Sequence, residues 1–298
     1  MKKKLVATLM ASVMAFSLVA CGEAKTASND AASNAEETEA AAEEGEAEPA
    51  EIIEETSDET ASADSDVEYI KGKGSLIVGI TDFAPMDYKD DNGEWIGFDA
   101  DMAKKVAESL GVDVEFVEID WDNKILELDN KSIDVVWNGM TLTNEVKNAM
   151  ECTNAYLNNA QVVVVPAADA DSYQDVDSVS ALSFAVESGS AGEQAAVDNG
   201  FDYTSLTSQA DAVMEVAAGT SGACIIDLLM AGAMVGEGTS YADLTHTVEL
   251  TTEEYGIGCR KGSDLAAYIN DQLKAYYADG SMQEIAQTYG VQDALVEQ

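Results

Sequence analysis

From Leu76 onward the chain alternates short apolar runs with segments whose apolar residues recur every three or four positions. The short runs predict strands and the longer period predicts helices, so their order predicts an α/β fold. "LIVGI" is a strand. "FDADMAKKVAESLG" is a helix with Met102, Ala103, Val106 and Leu110 on one stripe, stopped by Gly111. "VDVEFVEI" alternates as a half-buried strand does, "NKILELDNKS" is a short helix, and "IDVVW" and "QVVVV" are strands. Between these, "GMTLTNEVK" (Gly139–Lys147) runs from a strand into a helix start. A second round begins near Asp171: "LSFAV", "GACII", "LTHTVEL" and "EEYGIGCR" are extended, while "AGEQAAVDNG", "SQADAVMEVAAG", "LLMAGAMV" and the tail from Asp264 to about Tyr289 are helical. Two α/β lobes with a return segment are the simplest account, and the cleft between them is the expected ligand site.

Composition adds what precedes this pattern. The opening "MKKKLVATLMASVMAFSLVACG" has lysines, an apolar run and small residues before a cysteine, so residues 1–20 are expected to be a secretory signal. Leu18-Val-Ala-Cys21 resembles the bacterial lipobox, which implies cleavage before Cys21 and a lipid on its thiol. Residues 21–66 are rich in Ala, Glu, Ser and Thr, with Lys25 as their only base, and are expected to be an extended acidic linker. The net charge of −42 argues against nucleic-acid binding. Setting Cys21 aside, Cys152, Cys224 and Cys259 are an odd number with no zinc-site spacing, so buried free thiols are expected. His246, the single histidine, lies in an alternating strand pattern that suits a structural or exposed role.

The ordered set "VGITDFAPMDY", "GFDADMAKKVAESLGV", "IDVVWNGMTLT", "NAYLNNAQVVVV", "ESGSAGE", "IIDLLMA" and "YGIGCRKGSDL" resembles the family-3 extracellular solute-binding proteins of amino-acid ABC importers, over nearly everything after Tyr69. The resemblance implies a periplasmic-binding-protein-like type II fold, with two lobes joined by two hinge strands around a ligand cleft. It implies lobe 1 over residues 67–165 and 253–298, lobe 2 over 166–252, and hinges near Val164–Ala167 and Thr251–Gly256. It also implies roles. Phe83 would pack on the ligand and Trp121 would line the pocket. Asn138, Gly139 and Thr141 match the loop that contacts the ligand's amino and carboxylate groups. Ser190 and Ala191 match a hydroxyl pair that donates to the carboxylate, and Asp227 matches the acid that receives the ammonium. Trp137 and Glu187, at strand ends, are further candidates to line the cleft.

The match breaks at Val146. The family's usual residue there is an arginine whose planar fork grips the α-carboxylate, which valine cannot do. The second lobe's usual hydroxyl is also absent, at Ala191. Arg260, the only arginine in the chain, belongs to "CRKGSD", which the family places at the domain surface. Three readings stay open. An α-amino acid is held by Thr141, Ser190 and backbone N–H groups; an amine or quaternary ammonium is held by acids and aromatic faces; or the site has decayed. The function expected is a lipid-anchored, non-catalytic monomer with no metal or cofactor. It would capture a small polar or cationic solute for an importer's permease and ATPase subunits. The alternatives are a stand-alone sensor or accessory receptor, and a dehydratase-like enzyme on the same fold. The lack of a cleft histidine and arginine counts against the enzyme.

Overall fold

The computed structural model describes residues 65–298. The expected leader, Cys21 and all but the last two linker residues lie outside them. The linker's expected last residue, Asp66, is instead the first of helix α1 (Asp66–Lys73), which Ser65 caps by accepting from the Glu68 N–H. Asp66 also pairs with Arg260 at 2.9 Å. Arg260 is not a surface residue: it is buried between Asp66 and Asp134 and donates to the Ile133 carbonyl.

Strand β1 (Ser75–Ile80) leads through a hairpin of β2 (Tyr88–Lys89) and β3 (Trp95–Ile96) to α2 (Phe98–Leu110). The expected stripe of α2 is buried, and the helix ends on Gly111 at φ +75°, a left-handed cap that suits glycine. The first lobe continues with β4 (Asp113–Glu118), α3 (Lys124–Asp129), β5 (Val135–Thr141), α4 (Asn144–Ala149) and β6 (Glu151–Cys152). Next come β7 (Leu157–Pro166), α5 (Val176–Val179), β8 (Ser183–Glu187), α6 (Ala191–Asn199), β9 (Asp202–Leu206), α7 (Gln209–Ala218), β10 (Ala223–Asp227) and α8 (Leu228–Met234). Finally β11 (Leu244–Cys259) returns to the first lobe, where α9 (Leu265–Asp279) and α10 (Ser281–Tyr289) pack.

The main sheet runs β4-β1-β5-β11-β7-β10-β8-β9, with β6 also on β11. Its two ends are parallel, with the inner strands β5, β8 and β10 as buried apolar runs and the edge strands β4 and β9 largely open to solvent, while β11 and β7 join them as a long antiparallel pair. The segments "LTHTVEL" and "EEYGIGCR" are thus one strand, bent where its register shifts between His246 and Thr251. On β7, Gln161 to Val164 pair with β10, whereas Leu157 to Ala160 pair with β11 and no other strand. On β11, Tyr255 is the first residue paired to β5, with the Glu254 carbonyl accepting from the Leu142 N–H just beyond that strand, while Thr251–Glu253 pair with β7. Cys224 and Cys259 are buried free thiols and Cys152 is a half-buried one.

Candidate functional site

A cavity of about 630 Å³ lies where β5, β8 and β10 end, a size in the range of small-molecule sites. On the first-lobe side the chain leaves β5 through Asn138 and Gly139. The Asn138 carboxamide accepts from the Thr81 N–H (3.0 Å) and hydroxyl (2.8 Å), and donates to the Thr81 carbonyl (3.0 Å) and Asp87 (2.8 Å). These four bonds fill its capacity, so its side chain braces the loop instead of reading a ligand. The Gly139 N–H is likewise committed, to Asp99 at 2.6 Å. Gly139 sits at φ +56°, and a Cβ there would stand 2.5 Å from Phe83 Cε1 and 3.0 Å from Tyr255 Cε2. Glycine alone lets those rings close on the loop. Beneath it, burial lifts the Asp99 carboxyl to about 6 against the bonds from Tyr156 and Gly139.

Thr141 is half-buried on the cavity wall. Val146 lines it too, on α4, whose N-terminus Thr143 caps at 3.1 Å; its side chain packs with Trp121 and Met150 in a small apolar cluster. Trp137 does not reach the cavity. Strand alternation turns it to the opposite face from Val136 and Asn138, where it is buried in the main core with Val135 and Tyr156.

On the second-lobe side, Ser190 caps α6 by accepting from the Glu193 N–H at 3.1 Å, and Ala191 is the first helical residue. Glu187, the last residue of β8, is buried. Asp227 lies on the floor, where its carboxylate accepts from Asn159 (2.5 Å), Gln161 (3.0 Å), Tyr255 (2.6 Å) and Gln209. Burial and the neighbouring Glu253 raise its carboxyl well above the usual carboxylate range. Its lone pairs are therefore largely taken before any ligand arrives. The Asn159, Gln161, Gln209 and Tyr255 donors carried no warning in the sequence, since they come from three separate elements.

The main residue that the sequence reading missed is Lys124. It begins α3, lines the cavity and sits 5.0 Å over the Trp121 ring. Its ammonium donates to the carbonyls of Trp121 (3.1 Å) and Gly189 (2.9 Å), so it reaches from the first lobe to the second. Burial pulls its pKa below the ordinary value, against the acids Glu145, Glu187, Asp122 and Glu193. The wall is thus not stripped of positive charge, as the loss at Val146 suggests. His246 is exposed on β11 and is not part of the cavity.

Residues 76–292 match the family described as bacterial extracellular solute-binding proteins, family 3. The arginine-binding extracellular protein ArtP of Bacillus subtilis (strain 168) is 28% identical over 235 residues, which span 76% of this chain and 90% of that protein. The L-cystine-binding protein TcyJ of Escherichia coli (strain K12) is 25% identical over 224 residues, 74% of this chain and 84% of that one. Among solved structures, an ABC uptake transporter substrate binding protein from Streptococcus pneumoniae with bound histidine superposes with a TM-score of 0.72 at 26% identity. It covers 79% of this chain and all (100%) of its own.

Proposed function

The chain belongs to the bacterial extracellular solute-binding proteins, family 3, and on that premise we propose that it captures a small polar solute bearing an amine, an amino acid or a relative of one, for an ABC importer. It does so as a non-catalytic protein anchored to a membrane by lipid on Cys21. The observation that carries this reading is a cavity closed by direct contact between lobes. Gly189 approaches Asp122 so nearly that a Cβ on it would stand 2.8 Å from the Asp122 Cα. A solute touching both sides stabilises that closed state alone, which is how a ligand drives hinge closure. The hinge falls in Asn158–Ala160 and Thr252–Glu254, where β7 and β11 pair across the junction. Acids outnumber bases on the wall, with Asp122, Glu145, Glu193 and Asp198 against Lys124 besides the proton-holding Glu187 and Asp227, which supports an amine in the solute. The leader pattern supports the anchor.

A thermal-shift screen of amino acids, their decarboxylated amines and quaternary ammonium compounds tests the reading. A bound solute at a hundredfold excess over its Kd should stabilise the chain by about 2.7 kcal/mol. If no amine-bearing solute raises the midpoint, the reading is wrong.

A further inference from the structure

A buried ammonium ordinarily has a carboxylate beside it, because leaving water without a counter-charge is strongly disfavoured. The less exposed bases follow this rule: Lys73 pairs with Asp134, and Arg260 with Asp66 and Asp134. Lys124 does not. It is 8% exposed, makes no ion pair among the described residues and bonds two main-chain carbonyls only. One of its three donors is left over. The ammonium lies over Trp121, which shares a small apolar cluster with Val146, and all three residues line the cavity. The unpaired charge therefore enters the cavity beside the valine that stands where relatives of this family usually carry a guanidinium. Across from it, Gly189 joins directly to Ser190 and the first turn of α6, a helix of nine residues whose leading N–H groups have no helical partner.

We propose that Lys124 is the anchor for the ligand's carboxylate, replacing the guanidinium absent at position 146 and acting with Ser190 and the α6 N-terminus. This rests on the solute-capture reading and sharpens it, because the ligand must then carry a carboxylate as well as an amine. A purely cationic amine would have the acids of the wall for its ammonium but no group of its own to answer the Lys124 ammonium. The acids of the wall cannot do the anchor's work, since like charges repel.

Calorimetry with matched pairs tests this: L-arginine against agmatine, and L-histidine against histamine, each differing by the carboxylate. The wild-type chain should bind the amino acid of at least one pair at least about tenfold more tightly than its amine, the span of one lost charged contact. Lys124→Met should abolish that preference by weakening the amino acid and sparing or strengthening the amine. Adding Val146→Arg to Lys124→Met should restore the preference, which shows that the loss came from charge and not from misfolding. A Lys124→Met chain that keeps the preference overturns the anchor while leaving solute capture intact. Amines bound as tightly as their amino acids in every pair that the wild type binds overturn it as well. If neither pair binds, the same comparison is made with the solute found by the thermal-shift screen and its decarboxylated amine, and an amine bound as tightly as that solute overturns the anchor.

Discussion

Glu187 is 2% exposed, and its Oε1 has no hydrogen-bond partner among the described residues. Burial lifts its carboxyl to about 8, with Lys124 and Gln209 pulling it down and Asp211 adding to the rise. An unfolded glutamate titrates near about 4.3. Between those values the folded chain keeps a proton that the unfolded chain has released. Stability must therefore fall as pH rises through that window, by at most about 1.4 kcal/mol per unit, and the loss levels off above the folded value. Glu187→Gln stays neutral and removes this slope. Urea midpoints should show the variant gaining on the wild type from about pH 5 to about pH 8. Parallel curves would mean that Glu187 is ionised in the folded chain. The comparison must be with the variant, because Asp99 and Asp227 are raised too and slope the same way. Glu187 was a candidate from its place at a strand end, but its isolation came only with the packing of α6 and α7 around it.

The contact that closes the cavity joins two turns, one before α3 and one between β8 and α6. Gly189 sits there at φ +70°, with space for no side chain: a Cβ would meet the Asp122 Cα at 2.8 Å and its Oδ1 at 2.9 Å. Gly189→Ala should wedge the lobes apart and strain its own backbone by about 1–2 kcal/mol. Affinity for the solute found by screening should fall by at least about tenfold in calorimetry, with the fold retained by circular dichroism. An unchanged affinity would show that closure does not use this contact. The elements themselves were largely legible, since β5, β10 and α2 bury the residues their periods predict. The joining of "LTHTVEL" to "EEYGIGCR" was not, because a strand that changes lobes also changes which face is buried. β9 escaped notice for a related reason, as an edge strand with no buried residue.

At the scale of the whole molecule, net charge bears on the proposed tether. With 57 acidic against 15 basic residues the chain repels anionic surfaces, so any residence at a membrane requires an anchor. Cys21→Ser should move the protein from the membrane fraction to the soluble fraction of the cells that make it, and mass spectrometry should find no acyl chain. A wild-type chain recovered without lipid would refute the anchor. Membership of the family and the two-lobed fold rest on many weak, ordered signals distributed along the chain, which is why both were readable before any geometry.

The sequence by itself determined the order of the main strands and helices, the family and under half of the residues that line the cavity. Those follow from local periodicity and from short motifs that keep their neighbours. Only tertiary structure decided which wall residues are free to act. Asn138 is spent on Thr81 and Asp87, Asp227 is occupied by donors from β7, α7 and β11, and Trp137 belongs to the opposite face. The same holds for Lys124. A lysine at the start of a short helix is ordinarily solvated, and it becomes a buried, unpaired charge only because the second lobe closes Gly189 over it. Burial and pairing depend on contacts between segments far apart in the chain, and no local pattern encodes them.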